Sequence, residues 1–170
     1  MMVEDGDQEV LKLLSSTSAE ISQGEVLQLQ HNREIDMLEE TYLKIISSKT
    51  ASLFAAATKV GAILSNQENK VKDALEFYGK NLGLTFQIAD DTLDYNSELK
   101  LFGKEIGNDF FEGKVTLPII LLNQKANEDE KKDIRYCFLN HERSENDFKS
   151  ILGLIKKYDI INDCYLKAEY

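Results

Sequence analysis

An all-α chain is predicted from three observations taken together. Apolar residues recur at three- and four-residue spacing nearly throughout, proline occurs once, at Pro118, and tryptophan is absent. A length of 170 residues with 42% hydrophobic residues suits one domain with a substantial core.

The elements follow in order. A first helix is expected from about Gln8 to Leu29, where Val10, Leu11, Leu13, Leu14, Ile21, Val26, Leu27 and Leu29 form an amphipathic pattern. Only Met1–Asp7 lead into that long apolar face, as though a helix pair had lost its first partner. Asp36 followed by Glu39 has the look of a capping arrangement, and helix is expected from there to about Leu64. Within it Thr50–Ala57 is rich in small residues, which lets helices approach closely, and Gly61 and Ala62 extend that face. Asn66 or Gln67 is expected to open a third long helix through Leu75, Phe77, Leu82, Phe86 and Leu93 to about Tyr95. The segment Asn96–Gly113 reads as loop with short turns. Pro118 suits the first turn of the next helix, where its missing N–H is harmless. Short helices near Glu128–Leu139, Glu145–Tyr158 and Ile160–Tyr170 complete the chain. The last stops without a cap, so both ends read as cut rather than finished.

Composition excludes several classes. With 30 acidic against 20 basic residues and a net charge of −10, no basic stripe exists to neutralise nucleic-acid phosphates. Cys137 and Cys164 lack metal-ligand spacing and read as ordinary thiols of a reducing compartment. No apolar run approaches the ~20 residues that span a bilayer, and no signal-peptide pattern opens the chain, so a cytoplasmic location is expected.

The chemistry is concentrated in Phe86-Gln87-Ile88-Ala89-Asp90-Asp91-Thr92-Leu93-Asp94. On a helix, Gln87, Asp90, Asp91 and Asp94 share a face. Like charges so placed repel by roughly 0.2–0.5 kcal/mol per exposed pair, so a cation is expected among them. Gly103-Lys104 and Gly113-Lys114 follow, flanking Gly107-Asn108-Asp109. Carboxylates followed by lysines fit Mg²⁺, which is commonly held by one or two carboxylates together with substrate phosphates, while lysine serves phosphate as a point charge.

Plainer readings compete. An acidic cluster is often only a solvated helix face. Asp94, Asn96, Glu98 and Glu105 also fall at EF-hand positions one, three, five and twelve, but Leu99 stands where that calcium loop turns on glycine. Lys49, within Ser47–Ala51, is in isolation a snorkelling surface lysine or, if buried, one in need of an anion. His31 and His141 are unpaired and assigned to surface or loop.

The chain resembles the trans-type isoprenyl diphosphate synthases, particularly their long-chain, octaprenyl-like branch. The resemblance rests on Gly24–Leu29, on Lys49-Thr50-Ala51-Ser52-Leu53-Phe54, on Gly83–Tyr95 and on Phe102–Ile119, in matching order and spacing over about a hundred residues. It implies a helical bundle that joins an allylic diphosphate to isopentenyl diphosphate, as in quinone side-chain biosynthesis. Under it, Asp90 and Asp94 would bind Mg²⁺ bridged to the allylic diphosphate, with Asp91 in support. Lys49 and Lys104 would contact that diphosphate, and Lys114 would add charge nearby. Thr50 and Gln87 would face the allylic carbocation and help a proton leave. The family has two aspartate-rich motifs on facing helices, and only the second is present here. The resemblance therefore implies the second half of an isoprenoid-synthase bundle, a partial domain over residues 1–170 truncated at both ends, with half of a trinuclear magnesium site. Such a chain is expected to be inactive alone or to need a complementary N-terminal chain, with a homodimer also open. The alternatives are a degenerate, non-catalytic helical interaction subunit and a calcium-binding module.

Overall fold

The computed structural model describes residues 6–96, 106–140 and 142–169. Among them the elements are α1 (Gln8–Gln30), α2 (Glu39–Ile46), a π turn (Ser47–Ala51), α3 (Ser52–Leu64), α4 (Asn69–Leu93), α5 (Asn108–Glu112), α6 (Leu117–Lys125), α7 (Glu128–Leu139), α8 (Glu145–Lys157) and α9 (Ile160–Ala168). No strand occurs among the described residues, so the all-α expectation holds. None of their helices is long and apolar enough to cross a membrane.

Two boundaries differ from the sequence expectation, each for a local reason. Asp36 does not start a helix: α2 begins at Glu39, and the Asp36 carboxylate takes the Arg135 guanidinium as a fork, with Nη1 at 2.6 Å and Nη2 at 2.8 Å. That charge-assisted pair holds the carboxyl below its ordinary pKa and outcompetes a neutral cap. Asn66 closes a helix instead of opening one. It takes φ 51°, its N–H donates to the Ile63 carbonyl, and the N–H of Gln67 donates to that of Ala62. This paired pattern is a Schellman cap, which delays α4 to Asn69. Pro118 lies in the first turn of α6 as expected. α7 and α8 open on capping boxes, Asn127 with Glu130 and Ser144 with Asp147.

The described chain divides into two compact units, Met1–Leu27 with Leu43–Gln87, and Gln28–Tyr42 with Ile88–Tyr170. In the first, the small-residue stretch works as expected through glycines opposite it. A Cβ on Gly83 would lie 2.6 Å from the Ala51 Cα, and one on Gly79 would lie 2.5 Å from the Phe54 carbonyl oxygen. On α1, a Cβ on Gly24 would lie 2.6 Å from the Lys49 amide nitrogen. Gly61 does not belong to that face. A Cβ there would meet nothing, while its neighbour Ala62 is buried. The Thr58 hydroxyl donates to the Leu75 carbonyl at 2.6 Å, and Lys59 pairs with Glu76 at 2.6 Å.

The second unit is built around α6, whose Leu117–Leu122 are all buried. A helix apolar on every side belongs inside a core. Helices α8 and α9 pack against it, and Ile134 and Phe138 of α7, Phe148, Ile151 and Ile155 of α8, and Ile160 and Cys164 of α9 are buried in the same unit. Phe110 is 0% exposed. Its ring centroid is 5.4 Å from those of Phe111 and Phe138 and 5.3 Å from that of Phe148. The Arg143 guanidinium lies over Phe138 at 5.6 Å. It donates to the Phe138 carbonyl at 2.9 Å and to the Phe111 carbonyl at 3.1 Å.

Burial pushes the Cys164 thiol up to about 12. Because the raised pKa favours the neutral thiol, its contribution is complete below the unfolded value of about 8.5 and is lost as pH climbs toward about 12. Since the thiolate is the nucleophile, Cys164 in the folded chain is expected to resist iodoacetamide at pH 8.5 and to react after urea unfolding. Peptide mass spectrometry distinguishes the two states, and rapid native labelling would contradict the burial.

Candidate functional site

The first unit brings Thr50 and Gln87 together. The Thr50 hydroxyl donates to Gln87 Oε1 at 2.7 Å. Thr50 and Lys49 sit in the π turn Ser47–Ala51, an extra-residue distortion of the kind often found inside helices at functional sites. Gly24 permits the close approach of α1 to this turn, and Ser52 ties back to the Ser48 carbonyl at 2.7 Å. Lys49 is partly exposed. Its ammonium lies 2.6 Å from Glu25 Oε2, so it has the anionic partner that a partly covered lysine needs. Nothing in the spacing of Glu25 links it to Lys49 in the sequence; only the fold pairs them.

In the second unit the three aspartates differ. Asp90 is exposed. Asp91 is 5% exposed and accepts from the hydroxyl of Tyr42, itself 2% exposed, at 2.8 Å. Asp94 is 8% exposed. Its Oδ1 accepts from the backbone N–H of Gly107 at 3.1 Å and of Asn108 at 3.2 Å, and its Oδ2 from that of Asp109 at 2.9 Å. Among the described residues, no three His, Cys, Asp or Glu side chains are grouped so as to hold a metal ion. Within the expected set, Asp91 and Asp94 thus both have partners in the fold. The donor chemistry still fits a hard cation. All three offer carboxylate oxygens, and Mg²⁺ needs only one or two of these alongside phosphate oxygens.

Lys114 lies 2.6 Å from Glu112 Oε2 and 3.4 Å from Asp109 Oδ1, and these partners raise its pKa against the opposing effect of burial. Asp109 is pushed up to about 6, first by burial and then by the neighbouring Asp94, with Lys114 opposing. Asp109 and Tyr42 belong to this cluster and were not singled out from the sequence. Lys104 and the calcium-loop positions Glu98 and Glu105 lie outside the described residues.

The Tyr42–Asp91 bond makes a clear prediction. A hydrogen bond to a charged group is worth about 1.5–3 kcal/mol. Tyr42→Phe is expected to lower unfolding stability by about that amount, measured by urea denaturation. A loss indistinguishable from zero would mean that the bond does not hold the carboxylate.

Comparison with known proteins places these residues in a wider context. A family model described as polyprenyl synthetase matches residues 1–155. The octaprenyl diphosphate synthase of Escherichia coli is 42% identical over 120 residues, which cover 71% of this chain and 37% of that protein. Component 2 of the heptaprenyl diphosphate synthase of Bacillus subtilis is 33% identical over 162 residues, covering 95% of this chain and 45% of that one. A solved polyprenyl synthase from Caulobacter crescentus, complexed with calcium and isoprenyl diphosphate, superimposes with a TM-score of 0.93 at 38% identity. The match covers 99% of this chain and 51% of the other. A decaprenyl diphosphate synthase from Rhodobacter capsulatus gives 0.91 at 36% identity, with 98% and 51% covered. The chain therefore spans about half the length, or less, of these relatives.

Proposed function

Because the chain belongs to the polyprenyl synthetase family, we propose that it is the part of a prenyltransferase that binds an allylic diphosphate for condensation with isopentenyl diphosphate, in the cytoplasmic synthesis of isoprenoids such as quinone side chains. The observation that carries this reading is the acidic end of α4. Asp91 accepts from a phenol and Asp94 from three backbone amides, so each carboxylate is held in a fixed orientation. Asp90, Asp91 and Asp94 together then offer oxygen donors and negative potential to Mg²⁺. When bound with diphosphate, the ion would stabilise charge developing on the leaving group.

The remaining roles follow from each side chain's chemistry. Lys49, Lys104 and Lys114 supply positive charge to diphosphate oxygens, Lys49 exchanging its carboxylate partner Glu25 for phosphate. Thr50 and Gln87, bonded to each other, present oxygen dipoles that a cationic allylic carbon would favour. Either oxygen can accept a departing proton transiently.

Half the relatives' length is matched, and the first unit leaves Leu53, Phe77, Tyr78, Leu82 and Phe86 exposed. Exposed apolar patches mark association surfaces. A complementary N-terminal chain carrying the first aspartate-rich motif is the partner proposed here, with a homodimer or a purely structural interaction subunit as the competing readings. The test is incorporation of labelled isopentenyl diphosphate by the polypeptide with an allylic diphosphate and Mg²⁺, alone and with the N-terminal half of a relative. Product only in the mixture is expected. Robust product from the chain alone would overturn the need for a partner, and no product in either case would favour the interaction subunit. Calorimetry with Ca²⁺ and Mg²⁺ separates the calcium-module reading, which requires Ca²⁺ uptake indifferent to pyrophosphate.

A further inference from the structure

We propose that Glu25 is the built-in counter-ion of Lys49: its carboxylate holds the ammonium until a diphosphate displaces it, and so sets how tightly that anion is taken up. This inference rests on the diphosphate-binding reading and adds a regulating residue to it.

The pairing follows from the backbone. α1 meets the π turn at Gly24, where an added Cβ would lie 2.6 Å from the Lys49 amide nitrogen and 3.0 Å from the Lys49 Cα. That close approach brings the next residue, Glu25, within reach of Lys49. Inside the turn, neighbouring side chains then serve different helices. Thr50 donates to Gln87 of α4 at 2.7 Å, while the Lys49 ammonium lies 2.6 Å from Glu25 Oε2 on α1. A lysine whose chemistry calls for a phosphate oxygen is thus already paired with an anion of its own chain.

Exposure decides which partner moves. The Glu25 side chain is 49% exposed and that of Lys49 32%. With the two backbones held together at Gly24, the pair separates by side-chain rotation, and the more exposed carboxylate has water to turn into. An ammonium has three donors, which leaves room for a phosphate oxygen beside the carboxylate. Glu25 and the phosphate would then share one cation as like charges at short range, and their repulsion favours the departure of the carboxylate. Glu25 therefore competes with the diphosphate for Lys49.

Glu25→Gln, Lys49→Met and the double variant test this on the full chain through two readouts. One is the proton–nitrogen NMR signal of the Lys49 ammonium without metal or added anion, identified by its absence in Lys49→Met. The other is uptake of Mg²⁺ with inorganic pyrophosphate by calorimetry. Glu25→Gln keeps the length of the side chain and removes its charge. It is expected to shift the ammonium signal and to tighten uptake about fivefold, the size of a partly exposed ion pair. In the Lys49→Met background the same substitution is expected to change uptake by less than about twofold, since the coupled partner is gone. Unchanged or weaker uptake by Glu25→Gln would overturn the proposal. An equal gain in the Lys49→Met background would overturn it too, by marking a general effect of charge. If no variant takes up pyrophosphate, the diphosphate-binding reading falls, while the anion-free ammonium signal still decides whether Glu25 holds Lys49.

Discussion

Phe110→Ala is expected to cost about 3–5 kcal/mol of unfolding free energy. Phe110 is 0% exposed, and its ring touches Phe111, Phe138 and Phe148 with centroids 5.3–5.4 Å away. Removing it leaves a cavity walled by flat, stiff rings that cannot collapse into the gap, which places the cost toward the upper part of the range. The Arg143 guanidinium, 6.0 Å over the Phe110 ring, also loses one of its aromatic faces. Urea denaturation followed by circular dichroism measures the effect. A loss below about 1 kcal/mol would put Phe110 among ordinary surface substitutions and refute the packing described.

The second large effect distinguishes two glycines within the first unit. In a helix interior, Gly→Ala normally gains about 0.5–1 kcal/mol from backbone entropy. At Gly61 nothing opposes that gain, since an added Cβ meets no atom within 4 Å, so Gly61→Ala is expected to stabilise by about 0.5–1 kcal/mol. At Gly83 the same Cβ would lie 2.6 Å from the Ala51 Cα, a backbone atom that cannot rotate aside. Overpacking costs about 1–3 kcal/mol, which exceeds the entropic gain, so Gly83→Ala is expected to destabilise on balance. Ala51 directly follows Thr50 in the π turn, so the displaced helix would also stretch the Thr50–Gln87 bond. Opposite signs of ΔΔG in parallel urea titrations are the expected result. Stabilisation by both substitutions would show that the helices do not meet at Gly83.

How far the sequence revealed this arrangement depended on the range of the signal. Helical periodicity is local and repeated, so α1, α4, α7, α8 and α9 were readable to within a few residues. Small residues from Thr50 to Ala57 announced a close crossing, although not that Gly79 and Gly83 would supply its other side. Asn66 misled because the same residue type that opens a helix can also close one in the left-handed conformation, and only the backbone of the following residues decides between them. Asp36 misled because its fork partner, Arg135, is distant in sequence. The aspartate series and the Thr50–Gln87 pair stood out through residue type and family resemblance. Tyr42, Glu25 and Asp109 did not, since their parts in the site exist only once distant segments are folded together. The π turn was equally invisible, for one extra residue in a helix leaves no compositional mark.

The clasp formed by Arg143 has a consequence for how the second unit comes apart. A rigid, permanently charged plane bridges the carbonyl of Phe111 in α5 and that of Phe138 in α7. Fraying of either helix end breaks one arm of this fork. The guanidinium thus links the two termini, and a lysine in that place, with a point charge and no fork, would lose the planar bridge between them.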